Sequence, residues 1–228
     1  MLIGNGLIAK NIGHLDVDDS MLIHAAGVSD SNCTDREEYL RDRNRLLNSI
    51  SAQKERLLIY FSTCRIYDKE LENSCYTRHK IQMEEIIQQN SSKYLIFRLP
   101  NVIGNTGNKS NLINFLANKI KNHQQFQLWT KARRRIIDIK DVVSCISDYL
   151  LAKPKLNSIV NLAPAFDTEV IEIISILERI YQTKARFTEV DRGNRFNISI
   201  KKMRTILNKY GLLKPSNYVE KVVRKYYE

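Results

Sequence analysis

One strand and the helix after it constrain the fold of this chain more than any other feature. Residues 57–61, LLIYF, are a continuous apolar run, which is typical of a strand buried on both faces of a parallel sheet. Ser62 and Thr63 follow at its carboxyl end, where open α/β sheets bind their ligands. If the residues from Tyr76 onward form a helix, Lys80 lies one turn further along the same face. The sequence therefore predicts a strand, a ligand-binding edge and a helix in succession.

Tyr76 and Lys80 are candidates for proton transfer. A neighbouring ammonium favours phenolate over phenol, so we expect Lys80 to lower the pKa of Tyr76 toward the working pH. The Thr63 hydroxyl and the Tyr76 phenol could then meet at one carbonyl or hydroxyl of a substrate. Because Tyr-x-x-x-Lys also arises by chance on solvated helix faces, the motif needs support from the rest of the chain.

The first residues supply that support. Residues 1–3 predict a short strand, and the Gly-x-Gly-x-x-Ala pattern of residues 4–9 predicts a tight turn into a helix that continues through Leu15. Glycines let the backbone approach a pyrophosphate, and the free N–H groups at a helix start would face it. We therefore expect a phosphate-binding loop here rather than a plain turn.

Apolar runs and amphipathic segments continue to alternate along the chain, which favours an α/β class. Residues 101–111 are rich in Asn and Gly and predict a loop. The other expected strands cover residues 21–27, 94–99, 126–129, 133–139 and 159–162, and the other expected helices cover residues 34–50, 112–120, 139–151 and 168–181, before a tail with two helices separated at Gly211 and Pro215.

Charge and composition limit the possible partners. The formal net charge of +11 favours an anionic partner, although basic residues are scattered and only residues 131–135 form a tight cluster. The chain lacks aromatic residues interleaved with that cluster, so nucleic-acid binding is the least favoured interpretation. No apolar run approaches the ~20 residues that cross a bilayer, and the N-terminus does not resemble a signal peptide.

The cysteines and histidines show no metal-binding pattern. Cys33, Cys64, Cys75 and Cys145 have no Cys-x-x-Cys spacing and form no cluster with the four histidines. We therefore expect no metal, reduced thiols and a cytoplasmic protein.

Several motifs together resemble the extended short-chain dehydrogenase/reductase family, in its sugar-nucleotide epimerase, dehydratase and reductase branch. The glycine loop looks like the cofactor loop of that family, and residues 23–27, IHAAG, look like its strand beside the nicotinamide ribose. Residues 61–67, FSTCRIY, are similar to its catalytic-threonine strand end, and Tyr76 with Lys80 to its catalytic pair. Residues 98–104 and 134–141 resemble its Arg-x-x-Asn-Val-Tyr-Gly and Arg-Asp-Phe-Ile-His-Val-Asp-Asp segments.

The resemblance implies a set of ligands and residue roles. The catalytic residues would be Thr63, Tyr76 and Lys80. The cofactor, NAD or NADP, would contact Gly4, Asn5, Gly6, Leu7, Ile8, Ala25, Ala26, Gly27, Ser62, Tyr76, Lys80, Leu99 and Pro100. The substrate, a nucleotide-diphosphate sugar, would contact Cys64, Arg65, Asn101, Arg134, Arg192 and Arg195.

The resemblance also implies an architecture. It predicts a doubly wound, mostly parallel Rossmann-like sheet, shortened in its first half, with a small C-terminal substrate lobe. Residues 1–105 with 136–165 would form the cofactor-binding domain, and residues 106–135 with 166–228 the substrate lobe. Because the family commonly dimerises, we expect a homodimer.

Departures from the family pattern decide between reactions. Between Ala9 and His24 the family has two more strands, and here only a helix and Asp16–Asp19 fit, so the adenine side is truncated. Cys64 and Arg65 stand where 4,6-dehydratases carry an Asp-Glu pair, which disfavours dehydration. A shortened adenine site favours a reductase of a 4-keto-6-deoxy sugar nucleotide, which releases its cofactor at every turnover. A 4-epimerase and a non-catalytic nucleotide-binding relative remain the alternatives.

Overall fold

A five-stranded parallel sheet lies at the centre of the computed structural model, which describes residues 1–13, 20–108 and 110–228. The strands are β1 Leu2–Ile3, β2 Met21–His24, β3 Leu57–Thr63, β4 Tyr94–Leu99, β5 Asn101–Ile103, β6 Phe126–Trp129, β7 Arg133–Arg134, β8 Ile136–Asp138, β9 Ser158–Asn161, β10 Thr168–Glu169 and β11 Phe187–Val190. The central sheet has the order β1-β2-β3-β4-β9, with every neighbouring pair parallel.

Helices cover both faces of this sheet, so the predicted doubly wound α/β fold is confirmed. The helices are α1 Leu7–Ile12, α2 Arg36–Ala52, α3 Cys75–Asn90, α4 Leu112–Lys121, α5 Ile139–Leu151, α6 Val170–Tyr181, α7 Arg204–Lys209 and α8 Tyr218–Tyr227. One face packs on α2 and α3 through Leu46 and Met83, and the other packs on α1 and α5 through Ile12 and Ile146. Consecutive residues of β2, Leu22 and Ile23, point to opposite faces because side chains alternate along a strand.

The side on which α1 packs is unusual for a parallel sheet. The connections β1 to β2, β2 to β3 and β3 to β4 all step in the same direction across the sheet. Parallel crossovers are right-handed in about 98% of cases, which would place all three helices on one face. Since α1 lies opposite α2 and α3, the first crossover has the opposite hand to the next two. The predicted end of this helix at Leu15, and Asp16–Asp19, lie outside the described residues.

Short strand pairs and a second apolar core form the rest of the chain. The pairs are β5 with β8, β6 with β11, and β7 with β10. The second core joins α4, α6 and α8 through Leu116, Leu177 and Val223. In contrast, Met203 and Leu207 near α7 pack into the core of the central sheet. The domain boundaries given above stay a prediction.

Two local predictions of secondary structure were wrong. Asn101–Ile103 is not loop but strand β5, because it pairs with β8 in parallel register. Residues 133–139 do not form one strand, because β7 and β8 pair with different partners on either side of Arg135. None of the helices in the described part of the chain combines the length and the apolar character needed to cross a lipid bilayer.

Candidate active site

A cavity of about 860 Å³ opens at the carboxyl ends of β1 to β4. Its lining includes most of the predicted site residues: Gly4, Asn5, Gly6, Leu7, Ile8, Ala25, Ala26, Gly27, Ser62, Thr63, Cys64, Arg65, Tyr76, Lys80, Leu99, Pro100, Asn101 and Arg134. Parallel strands bring their carboxyl ends to one edge, so residues far apart in sequence meet there. The size of the cavity is within the range of small-molecule and cofactor sites.

Two predicted substrate residues lie outside this lining. Arg195 is exposed, and its Nε donates to Asp167 Oδ2 at 2.8 Å. The guanidinium of Arg192 lies 4.4 Å from the ring centroid of Trp129, and Trp129 lines the cavity whereas Arg192 does not. The structure therefore brings Arg134 to the cavity and gives the other two arginines partners at its border.

The glycine loop approaches the end of β2 closely. Gly4 has a φ of +128°, and a β-carbon there would lie 2.4 Å from the carbonyl oxygen of Ala25. Glycine is required at this position for both reasons. A β-carbon on Gly6 would meet no atom within 4 Å, so this glycine leaves open space at the cavity wall. The loop thus presents bare backbone to a ligand.

Tyr76 lies in the first turn of α3 because Ser74 caps that helix, its hydroxyl accepting from the Thr77 N–H at 3.2 Å. Burial raises the pKa of Tyr76 to about 12, although a hydrogen bond with Thr63 and the charge of Arg65 both lower it. The expectation that Lys80 would lower this pKa toward neutrality is wrong for the protein groups alone, because desolvation of the phenolate outweighs the nearby cations.

Lys80 is buried and lies between two tyrosines. Its Nζ donates to Tyr60 Oη at 3.3 Å and to the carbonyl oxygen of Phe61 at 3.4 Å, and it lies 5.9 Å from the centroid of the Tyr76 ring. Burial lowers the pKa of Lys80, while Asp42 and then Glu84 raise it. The ammonium is therefore directed partly toward the sheet rather than only toward Tyr76.

Positive charge collects beside Tyr76. Arg65 Nε is buried without a hydrogen-bond partner in the described part of the chain. Arg134 Nη2 lies 4.0 Å from Asp68 Oδ2, and burial lowers the pKa of both arginines. Asp68 acts on both guanidiniums, Asp30 also on Arg65 and Glu70 also on Arg134. Within the described residues neither guanidinium donates a hydrogen bond to a carboxylate, so this end of the cavity is suited to an anionic ligand.

The hydroxyl of Ser62 and the thiol of Cys64 have partners within the protein. Ser62 Oγ donates to Glu84 Oε1 at 2.5 Å. Glu84 also forms a bidentate ion pair with Arg98, whose Nε donates to Oε1 at 2.9 Å and whose Nη2 donates to Oε2 at 2.5 Å. Cys64 Sγ donates to the carbonyl oxygen of Arg98 at 3.3 Å, and burial raises its pKa to about 12. Both side chains therefore fix the end of β3 against α3 and β4.

Sequence reasoning missed several cavity residues. Arg45 on α2 lines the cavity and donates to the carbonyl oxygen of Ala26 at 3.1 Å. Arg135 lines it too, and donates to the carbonyl oxygens of Pro164 and Ile198. Trp129 could have been suspected as the single tryptophan beside the basic cluster. Arg45 had no comparable signal, because only the packing of α2 on the sheet brings it there.

Fold and cavity together define a class: an α/β protein whose doubly covered parallel sheet holds a glycine loop, a strand-end threonine and a Tyr-x-x-x-Lys helix around one cavity. Residues 13–163 match the model of the NAD dependent epimerase/dehydratase family. The chain belongs to this family. The glycine loop precedes the matched range, so its place at the cavity is known from the structure alone.

Solved structures support the same fold. UDP-glucose 4-epimerase of Thermus thermophilus, in complex with NAD, has 17% identity and a TM-score of 0.68, covering 90% of this chain and 75% of that one. UDP-glucuronic acid 4-epimerase of Bacillus cereus, with UDP-glucuronic acid and NAD, has 16% identity and a TM-score of 0.70, covering 91% and 74%. RMD of Pseudomonas aeruginosa, with NADPH, has 19% identity and a TM-score of 0.64, covering 91% and 80%. None of the curated proteins compared with the chain matches it significantly.

Proposed function

We propose that this chain is an NAD(P)-dependent sugar-nucleotide oxidoreductase, and specifically a reductase of a nucleotide-activated 4-keto-6-deoxy sugar. The observation that supports this most is the convergence of Thr63, Tyr76 and Lys80 on the cavity that also contains the glycine loop. When bound, the cofactor supplies hydride to carbon. The residues of the chain must bind the sugar oxygen and deliver a proton to it.

The protonation of Tyr76 fits the role of proton donor that a reduction requires. A phenol with a pKa of about 12 is protonated at neutral pH, so it can donate to the oxygen of a carbonyl that is being reduced. A reaction that begins with oxidation would need a proton acceptor at the same place. The Thr63 hydroxyl beside Tyr76 gives the sugar oxygen a second hydrogen-bonding group.

The glycine loop supports a dinucleotide. The open space at Gly6 and the close approach of Gly4 to Ala25 leave room for a pyrophosphate against bare backbone. Similar structures bind NAD or NADPH, as those of Thermus thermophilus and Pseudomonas aeruginosa do. In the described part of the chain, β1 pairs only with β2, which is consistent with a short adenine side.

Arg65 and Arg134 support an anionic substrate. Within the described residues neither guanidinium donates a hydrogen bond to a carboxylate, and a diphosphate would accept charge-assisted hydrogen bonds from both. Cys64 and Arg65 are not carboxylates, so these two positions cannot perform the elimination that makes a 4-keto-6-deoxy sugar. A protein without that elimination must receive the keto sugar from another reaction.

The second candidate is a sugar-nucleotide 4-epimerase. The family includes epimerases, and two of the similar structures described above are 4-epimerases. An epimerase keeps its cofactor through the cycle and consumes none. This difference in cofactor consumption separates the two candidates in one assay.

The test is a reduction assay with the purified chain. NADPH or NADH is mixed with 4-keto-6-deoxy sugar nucleotides of the common bases, and loss of the reduced-nicotinamide absorbance is followed. A reductase consumes reduced cofactor in proportion to the keto sugar. Interconversion of 4-hydroxyl epimers without net consumption indicates the epimerase. Binding of both ligands with neither reaction indicates a non-catalytic relative, for which Tyr76→Phe would change nothing.

The proposal includes a cytoplasmic homodimer that pairs through α2 and α3. Leu40 on α2 and Ile81 on α3 are large apolar side chains that remain exposed, 46% and 36% respectively. Burying them against a second copy would remove apolar surface from water. Ile81→Arg is expected to give a monomer in sedimentation velocity, and an unchanged sedimentation coefficient would contradict this interface.

A further inference from the structure

A buried pair of side chains behind the catalytic helix has no role in the mechanism above. Asp42 on α2 and His79 on α3 are 3% and 6% exposed, and His79 Nε2 donates to Asp42 Oδ2 at 2.8 Å. The Val28 N–H donates to the same oxygen at 3.1 Å. Asp42 Oδ1 is buried and has no partner within the described residues. A buried carboxylate with one free oxygen is costly unless a cation lies nearby.

Lys80 supplies that cation. A β-carbon on Gly27 would lie 2.7 Å from Lys80 Nζ and 3.7 Å from Asp42 Oδ2, so the ammonium and the carboxylate border the same small space. Glycine at position 27 leaves this space open. The two hydrogen bonds of Lys80 within the protein are long, at 3.3 and 3.4 Å. They do not by themselves compensate the desolvation of a buried ammonium.

The other groups around Lys80 do not replace Asp42. Tyr60 on β3 and Tyr76 on α3 are neutral near pH 7, because burial raises the pKa of both phenols. Burial holds His24 on β2 neutral as well, with a pKa of about 4. Glu84 on α3 is the other carboxylate that stabilises the ammonium, but Arg98 already pairs with it. Arg45 on α2 adds a cation at the cavity wall.

We propose that Asp42, oriented by His79, is a positioning residue that keeps Lys80 an ammonium beside Tyr76. His79 fixes the carboxylate with one hydrogen bond, and Gly27 allows the ammonium to approach it. His79, the residue before the lysine of the Tyr-x-x-x-Lys motif, therefore connects α3 to α2 by orienting the Asp42 carboxylate. The inference rests on the proposed function only for the catalytic role of Lys80.

The test measures the protonation of Lys80 without substrate or cofactor. The full chain is acetylated competitively with acetic anhydride at a series of pH values, and the labelled fraction of Lys80 is read by mass spectrometry. Only the neutral amine reacts, so Asp42→Asn is expected to increase the labelling of Lys80 at neutral pH about tenfold, as for a pKa lower by one unit. Asp42→Ser removes the same charge with a different side chain, and is expected to give the same increase.

Asp35→Asn is the matched control. It makes the same substitution at the cap of the same helix, where Asn caps as well as Asp, and it lies away from Lys80. Its Lys80 labelling should equal that of the wild type. Equal Lys80 labelling in the wild type and in a folded Asp42 variant, with folding checked by circular dichroism, overturns the proposal. An increase of the same size in Asp35→Asn also overturns it, because the effect would then be general loosening. Neither result bears on the reduction assay, so the two proposals fail separately.

Discussion

The centre of the sheet and its β1 edge are built very differently, although both border the cavity. At the centre, β3 and β4 are almost entirely buried and are joined to α3 by the Ser62, Glu84 and Arg98 network. At the edge, β1 has two residues, and Leu2 is 37% exposed. The buried polar network thus lies next to the residues proposed to transfer a proton. The side proposed for the adenine half of the cofactor has little support of its own.

This difference is consistent with a cofactor that is exchanged rather than retained. The hydroxyls proposed to act on the sugar are fixed by a cap, a strand and an ion pair, which favours accurate positioning. The loop proposed for the pyrophosphate depends on backbone shape at Gly4 and Gly6. Changes at the centre should therefore affect chemistry and stability most, and changes at the edge should affect cofactor affinity.

Removal of the Tyr76 hydroxyl should have the largest effect. Tyr76→Phe is expected to lower kcat by about 10²–10⁴-fold, the usual contribution of a positioned proton donor. Cofactor affinity, measured by fluorescence of the reduced nicotinamide, should stay within about twofold. Tyr210→Phe, which removes a hydroxyl bound to Asp148 far from the cavity, is the control and should retain activity. Full activity of Tyr76→Phe would exclude the proton transfer proposed for the centre.

Breaking the central ion pair should come next. Glu84→Gln leaves the partly buried Arg98 without its counter-ion, and loss of one partner of a buried pair costs up to about 3–5 kcal/mol of the free energy of unfolding. Leu2→Ala at the edge removes a half-exposed side chain and should cost less than about 1 kcal/mol. Urea denaturation of both variants measures the contrast. Similar losses of unfolding free energy in the two variants would mean that the edge contributes as much to stability as the centre.

Acid should weaken the centre through His24 on β2. Burial lowers the pKa of His24 from 6.5 to about 4, so the unfolded chain binds a proton at this residue more readily than the folded one. The stability due to neutral His24 is complete above pH 6.5 and is lost as the pH falls toward 4, up to about 3 kcal/mol. His24→Leu should reduce the slope of unfolding free energy against pH in this window. An unchanged slope would show that other groups cause the acid sensitivity.

The smallest expected effect concerns two glycines with positive φ. Gly4→Ala combines an unfavourable φ of +128° with a contact of 2.4 Å to Ala25, and should cost about 1–3 kcal/mol and weaken cofactor binding. Gly211→Ala has a φ of +68° with no atom within 4 Å, so only the conformational cost remains, about 1 kcal/mol. Thermal unfolding and cofactor titration compare them. Equal cofactor affinity in both variants would argue against a ligand at the Gly4 loop.

Local patterns in the sequence were sufficient for much of the framework. The apolar run of residues 57–61 predicted a buried parallel strand, and β3 has five consecutive buried residues. Tyr76 and Lys80 were placed on one helix, which begins at Cys75 because Ser74 caps it. By contrast, the predicted loop at Asn101 became β5, since its pairing with β8 depends on residues more than thirty positions away.

The site shows the same division. Strand-end residues such as Thr63 could be located from the sequence, because the carboxyl ends of parallel strands always share one edge. The pKa of Tyr76 could not, because it depends on how much water the packed cavity excludes, and burial reversed the expected direction. The family resemblance implied that Arg192 contacts substrate, and its position over Trp129 depends on the pairing of β6 with β11.

The sequence by itself determined most of the elements, the parallel arrangement of the central strands and many of the residues that reach the carboxyl edge, because these follow from periodicity, caps and glycines acting over a few residues. Only the tertiary structure decided the face on which α1 packs, the partners of Ser62 and Cys64, and the meeting of Asp42, His79 and Lys80. These properties depend on distances and desolvation between segments that are remote in the chain. A local sequence pattern does not show which charged groups will be buried together, or how far they will stabilise one another there.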